Sequence, residues 1–159
     1  MEDSNMLTKD ETVKLAASHA AEEFLCSEAV LMALAKYLGV ESKLIPKIAT
    51  GFGAGIGRQG EVCGALSGAV MGLGLKFGRD VPGFTEDDRR PYWYTTELME
   101  GFRELHGHLR CGDLLGLDLT DPEDYRKYSE RKLWATKCRD LITSATEQAY
   151  ELLVKADSL

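Results

Sequence analysis

The sequence predicts an all-α fold, a single-domain helical bundle over residues 1–159 with a buried, glycine-rich central helix. Apolar residues recur at helical spacing through most of the chain. Helix start and stop signals follow one another along it, and no useful stretch alternates apolar and polar residues as a half-buried strand does. The 159 residues favour one domain, because two would have only about 80 residues each.

The first helical pattern begins at a capping box, in which Thr8 and Glu11 stand three residues apart. The Ala/Leu-rich pattern continues to Gly39, a residue type that commonly follows a helix end. Because so long a helix is unusual, we expect a break near residues 24–27. A short helix is predicted over residues 42–50.

The middle of the chain is the glycine-rich part, with 12 of the 16 glycines between positions 39 and 83. Residues 51–60 are typical of a loop that needs positive φ or close backbone contacts. Residues 62–77 are apolar on nearly every side, which predicts a buried central helix. In that helix Gly64, Gly68 and Gly72 form a stripe without side chains, along which a neighbouring backbone can approach closely.

The last part of the chain continues the helical pattern. Residues 80–90 are predicted to form a surface loop, and a helix is expected over residues 91–105, since proline suits its first turn. Cys111 falls in a compact turn or short helix. Asp121 and Pro122 start the last helix, which is expected to bend before Leu133. One face of it carries Trp134, Cys138, Leu141, Ala145, Ala149 and Leu152.

The charge pattern excludes several function classes. The chain has 19 Lys and Arg against 26 Asp and Glu, a net charge of −7, which argues against nucleic-acid binding. The acidic start lacks the apolar segment of a secretory signal. The longest apolar run, residues 62–75, is too short to cross a bilayer. We therefore expect no membrane insertion and a cytoplasmic location.

The four cysteines, Cys26, Cys63, Cys111 and Cys138, are the main functional candidates, since a reducing cytoplasm disfavours a purely structural disulfide framework. None is paired as Cys-x-x-Cys, and a free cysteine is often only a small buried hydrophobe. Cys63 fits that interpretation poorly, because it follows a glycine-rich loop at a helix start, where backbone amides lower a thiol pKa. Cys111 stands beside Arg110, whose charge also favours a thiolate. These features leave a shared redox or metal site and a structural role open.

Two other patterns carry less weight. Residues 55–60 match GxGxxG, but no predicted strand precedes them and no βαβ pattern surrounds them. A loop that leads into the next helix is therefore the better interpretation. His106 and His108 precede Cys111 closely enough to share a metal with it, although histidines at a helix end more often complement its dipole.

Three consecutive aromatic residues, Tyr92, Trp93 and Tyr94, cannot all face the inside of one helix. One or two of them are expected at an interface, which would make the protein a homodimer. A semi-exposed aromatic turn explains them equally well.

The segment Cys63-Gly64-Ala65-Leu66-Ser67-Gly68, with one cysteine before it and two after it, resembles the family of redox-active proteins named C_GCAxxG_C_C after its motif. The resemblance extends over about residues 21–153 and includes the segments around Cys26, Cys111 and Cys138. It implies that the four cysteines are the redox residues and that Gly64 and Gly68 shape the central helix. Many relatives are encoded beside transporter genes, which implies a link to a transporter.

Three functions are compatible with this resemblance. In the first, a possible thiol–disulfide oxidoreductase, Cys63 is the attacking thiolate, another cysteine resolves the mixed disulfide, and an unknown redox partner protein exchanges electrons with the site. In the second, Cys26, Cys63, Cys111 and Cys138 hold an iron–sulfur cluster or zinc. In the third, the protein is a non-catalytic helical interaction protein. The first two require the four cysteines to converge, and the first predicts that Cys63 is alkylated well before Cys138.

Overall fold

The computed structural model describes residues 6–83, 85, 86 and 89–158, and within these ranges the chain is helical with no strand. The all-α prediction is confirmed. The first five residues and part of the predicted 80–90 loop lie outside the described residues. The α-helices are α1 (Lys9–Ala21), α2 (Cys26–Leu38), α3 (Gly64–Phe77), α4 (Arg90–His106), α5 (Cys111–Leu115), α6 (Pro122–Glu130) and α7 (Arg139–Asp157).

The N-terminal helices begin and end at local signals. The capping box is present, because the Thr8 hydroxyl accepts from the Glu11 amide at 3.1 Å and the Glu11 carboxylate accepts from the Thr8 amide at 2.8 Å. The predicted break separates α1 from α2, slightly earlier than expected, and Gly39 ends α2 in the left-handed conformation. The short helix predicted over residues 42–50 is a 3₁₀ helix, Lys47–Phe52.

Helix α3 is the predicted central helix and begins at Gly64, two residues later than expected. It packs against α2, α4 and α7. The glycine stripe is in contact with α2, because a Cβ atom added at Gly68 would lie 2.5 Å from the Ser27 carbonyl oxygen and one added at Gly72 would overlap Leu34. The missing side chains therefore let the two helices approach closely.

The C-terminal half contains the predicted bend. Helix α4 ends at Gly107 in the left-handed conformation. Lys132, at φ 54°, separates α6 from a π-helical turn, Trp134–Cys138, that leads directly into α7. Of the three consecutive aromatic residues, Tyr94 is buried and stacks on Phe77. The other two are exposed, and the homodimer stays a prediction.

Two hydrophobic clusters organise the interior. The larger is built by α1, α2, α3, α4 and α7 and includes Cys63, with Cys26 packed against it. The smaller consists of Cys111, Leu117 and Leu119, with side chains from the 51–60 loop and α6 against them. Cys26 and Cys63 thus belong to the larger cluster, and Cys111 belongs to the smaller one. None of the helices in the described part of the chain has the length and apolar character needed to cross a membrane.

Candidate functional site

One cavity of about 70 Å³ is lined by all four cysteines. Cys26 is the first residue of α2, Cys63 directly precedes α3, Cys111 is the first residue of α5, and Cys138 directly precedes α7. All four are free thiols. The predicted convergence is confirmed, whereas the role of each cysteine stays a prediction. The rest of the lining is mainly apolar: Leu25, Ala54, Gly64, Ala65, Leu115, Leu119, Trp134 and Leu141.

Gly64 makes room for the sulfur of Cys26. A Cβ atom at this position would overlap Cys26 Sγ and would lie 3.0 Å from the Phe52 carbonyl oxygen. Because Gly64 follows Cys63 directly, the same glycine brings the first two cysteines together. The Cys-Gly pair of the motif therefore has a steric explanation, since only glycine allows Cys26 to reach the start of α3.

The residues after Cys26 fix its position. The Ser27 hydroxyl donates to the Ala49 carbonyl at 2.7 Å. The Glu28 carboxylate accepts from the Leu25 amide at 2.8 Å and from the Thr50 hydroxyl at 2.6 Å. Helix α2 is thereby fastened to the 3₁₀ helix at the point where it presents its cysteine.

A short antiparallel contact brings Cys63 and Cys111 together. The Cys63 amide donates to the Leu109 carbonyl at 2.8 Å, and the Cys111 amide donates to the Glu61 carbonyl at 2.7 Å. Outside this pairing, Arg110 and Glu61 form a salt bridge at 3.3 Å. Arg110 is thus paired with a carboxylate at the surface, and it does not line the cavity.

Cys138 has a hydrogen-bond partner of its own. Its sulfur lies 3.3 Å from the hydroxyl oxygen of Tyr128, which comes from α6 on the other side of the bend. The Trp134 indole, on the same turn as Cys138, donates to the Ala20 carbonyl at 3.2 Å. This bond fixes one wall of the cavity to the end of α1.

Burial raises the pKa of every thiol in the cavity above the ordinary value of 9.0. The pKa of Cys138 rises to about 11 and that of Cys111 to about 12, in both cases mainly by loss of hydration. The Tyr128 hydroxyl and the charges of Lys137 and Arg139 favour the Cys138 thiolate and limit the rise in its pKa. At neutral pH the cavity therefore holds neutral thiols.

The prediction that the helix start lowers the pKa of Cys63 is wrong, because the pKa is raised. The amides of Ala65 and Leu66 do favour its thiolate, as the helix-start argument requires, but burial and the nearby Cys26 raise the pKa far more. Only 5% of Cys63 is exposed, so its thiolate would lose nearly all hydration. Cys138 therefore ionises more readily than Cys63.

The thiols of the cavity also affect one another electrostatically. The Cys26 thiolate raises the pKa of each of the other three thiols. Cys111 is affected by Cys138 and in turn affects Cys63. Cys26 therefore lies close enough to the other three sulfurs to affect each of them.

The residues that the structure describes contain no preformed metal-binding geometry. Among the described residues, no group of three or more His, Cys, Asp or Glu side chains is arranged to hold a metal ion. The predicted histidine ligands lie elsewhere, since neither His106 nor His108 lines the cysteine cavity. His106 Nε2 lies 2.8 Å from the Ser144 hydroxyl, and burial lowers its pKa.

The glycine-rich loop forms a left-handed turn against the cavity. All five residues from 54 to 58 have φ between 53° and 70°, as the loop's composition predicted. Ala54, Ile56 and Arg58 are not glycines, and this conformation costs about 1–2 kcal/mol for each such residue. The turn places Ala54 in the cavity wall, where its backbone favours the Cys26 thiolate. Strain of this kind is concentrated at functional sites.

Two residues of the site, Glu28 and Tyr128, were missed by the sequence analysis. Glu28 had a readable signal, because a glutamate three residues into a helix commonly accepts from the amide before it. Tyr128 had none, since it meets Cys138 only after the chain bends at residues 131–133.

The family described as "Putative redox-active protein (C_GCAxxG_C_C)" matches residues 24–152, which include all four cysteines. The chain belongs to this family. An uncharacterized protein of Archaeoglobus fulgidus is 28% identical to this C_GCAxxG_C_C protein over 131 residues, covering 77% of this chain and 80% of the relative. No solved structure matches the chain.

Proposed function

We propose that this C_GCAxxG_C_C protein is a thiol–disulfide oxidoreductase whose reacting groups are the four cysteines of the central cavity. The observation that carries this proposal is that cysteines from four separate parts of the chain line a single apolar cavity. A protein that needed cysteine only as a small hydrophobe has no reason to gather all of its cysteines in one place.

The chemistry of the cavity favours disulfides as the oxidised state. Two neutral thiols become an uncharged disulfide, which an apolar cavity accommodates without burying charge. In each cycle two protein thiols reduce a substrate disulfide. Two substrate thiols are released and one protein disulfide forms, so two electrons and two protons leave the protein.

The test is a titration of the reduced protein with a small disulfide under anaerobic conditions, followed by intact-mass and peptide mapping. We expect a loss of about 2 Da for each bridge, with every bridge joining members of the four-cysteine set. Four thiols that stay free throughout would overturn the proposal.

The same protein sample also distinguishes the metal-site hypothesis from the thiol–disulfide mechanism. Metal analysis and a visible absorption spectrum of anaerobically purified protein report iron or zinc directly. Stoichiometric metal that is lost when any one of the four cysteines is replaced by serine would overturn the disulfide mechanism in favour of an iron–sulfur or zinc centre. A metal-free, colourless protein that forms the bridges supports the oxidoreductase.

A further inference from the structure

A second, larger cavity lies directly outside the cysteine cavity. It is an open cleft of about 490 Å³, which is within the range of small-molecule sites. We call it the outer cleft. Four residues line both spaces and form the wall between them: Leu25, Ala54, Leu119 and Trp134.

Tyr128 connects the outer cleft with a specific cysteine. Its side chain lines the cleft, and its hydroxyl oxygen lies 3.3 Å from Cys138 Sγ. Cys26 and Cys138 are both partly exposed, whereas Cys63 and Cys111 are only 5% and 8% exposed. Of the two partly exposed cysteines, Cys138 is the one hydrogen-bonded to Tyr128. A molecule in the outer cleft therefore approaches the cysteine cavity beside Tyr128 and Cys138.

The outer cleft has more cations than anions, whereas the protein as a whole has a negative net charge. Two cations, Arg58 and Lys132, and one carboxylate, Glu23, line it, while the full chain has a net charge of −7. Arg58 lies over the Tyr125 ring at 4.4 Å from its centre. Neither cation forms a salt bridge with any carboxylate in the part of the chain that the structure describes. Both charges are thus available to an anion.

Backbone strain is concentrated around the same cleft. The described residues include five non-glycine positions with positive φ, and four of them line the outer cleft: Glu23, Ala54, Arg58 and Lys132. All three charged residues of the cleft are in this group. The chain holds them in a conformation that side chains disfavour, which is expected where position matters for binding.

We propose that the outer cleft binds a small disulfide that carries carboxylates and presents it to Cys138, a specificity that rests on the proposed thiol–disulfide activity. Arg58 and Lys132 bind the carboxylates. The Cys138 thiol first loses its proton to solvent, and its sulfur attacks one substrate sulfur. The substrate S–S bond breaks, a mixed disulfide forms, and the leaving thiolate takes up a proton from solvent. Cys26 or Cys111 then attacks Cys138 Sγ, which forms a protein disulfide and releases the second substrate thiol.

Three symmetrical disulfides of similar size test this inference: dianionic 3,3′-dithiodipropionate, neutral bis(2-hydroxyethyl) disulfide and dicationic cystamine. Each is mixed with reduced full-length protein, and acid-quenched samples are mapped by mass spectrometry. We expect the dianion to react first at Cys138 and about tenfold faster than the neutral compound, with cystamine slowest. High salt should reduce the difference.

Variants of the two cleft cations test whether the preference for the dianionic disulfide arises in the outer cleft. Arg58→Gln and Lys132→Gln should each slow the dianion severalfold more than the neutral disulfide, whereas Arg58→Lys should keep most of the rate with the dianion. Lys43→Gln removes an exposed cation that does not line the cleft and serves as the matched control. Circular dichroism checks that each variant is folded.

The outcomes separate this inference from the proposed function. If all three disulfides oxidise the protein at similar rates, or if the preference is unchanged in both glutamine variants, the anion site is overturned and the oxidoreductase stands. If the first mixed disulfide formed at Cys63, the proposal that the substrate reacts first with Cys138 would also be overturned. If none of the three compounds oxidises the protein, the proposed function itself fails.

Discussion

At the scale of single residues, the decisive balance is between helix-start amides and burial. The amides of Ala65 and Leu66 favour a thiolate at Cys63, but its loss of hydration is larger, so its pKa rises. Cys138 keeps a hydroxyl partner in Tyr128 and two nearby cations, and its pKa rises less, to about 11. Reactivity in this cavity therefore depends on which cysteine loses the least hydration.

This balance predicts the order of alkylation. In reduced protein at pH 9, a short iodoacetamide pulse should label Cys138 more than tenfold faster than Cys63, because more of Cys138 is thiolate. Tyr128→Phe should slow labelling of Cys138 by about tenfold, since its hydroxyl hydrogen bond favours the thiolate. Peptide mass mapping measures both effects.

The control for this experiment is Tyr92→Phe, which removes a hydroxyl from a side chain that is 70% exposed on α4. It should leave the labelling order unchanged. Equal labelling of Cys63 and Cys138, or an unaltered Cys138 rate in Tyr128→Phe, would contradict the role given to the tyrosine.

At the scale of elements, the contact between α2 and α3 sets the position of the first two cysteines. Gly64 is covered by Cys26 Sγ, and Gly68 by the Ser27 carbonyl. The chain places its first cysteine at the start of one helix and a glycine stripe on the other. The stripe therefore serves the geometry of the site as well as the packing of the bundle.

The glycine stripe gives a prediction with a control in the same helix. Gly68→Ala should lower the free energy of unfolding by about 1–3 kcal/mol, because the new Cβ lies 2.5 Å from backbone that has no room to move. Gly74→Ala has no atom within 4 Å of its new Cβ and should raise that energy by about 0.5–1 kcal/mol. Urea unfolding of both variants measures the changes, and equal effects would show that α2 and α3 are not in close contact.

At the scale of the whole molecule, the buried thiols couple stability to pH. Above pH 9 the thiols of the unfolded chain lose their protons, while those of the folded protein keep them until the pH approaches about 11 at Cys138 and about 12 at Cys111. The unfolded state then binds fewer protons, so stability is full below pH 9 and falls as pH rises through this window.

The expected slope for reduced protein is about 1.4 kcal/mol of unfolding free energy per pH unit for each such thiol. Urea unfolding at pH 8, 9 and 10 with a reductant measures it. Cys138→Ser removes one of these thiols and should make the slope between pH 9 and 10 shallower. An identical slope in the variant would mean that Cys138 titrates normally in the folded protein.

Much of the fold could be predicted because its signals are local. The capping box at Thr8, the glycine stops after α2 and α4 and the bend before α7 each depend on residues close in the chain. The motif around Cys63 likewise identified the family and all four cysteines. Helix boundaries shifted by a few residues, since the terminal turns are set by partners such as Glu28 and Thr50.

By itself the sequence determined the all-helical class, the glycine-rich turn, the buried central helix and the cysteine set, since spacing and backbone preference act over a few residues. Only the tertiary structure decided that Cys138 ionises more readily than Cys63. The pKa of a thiol depends on burial and on partners from distant segments, and no local pattern specifies these. The pairing of Tyr128 with Cys138, and the joining of Glu23, Arg58 and Lys132 in one cleft, arise only when α6 and the 51–60 turn pack against the bundle.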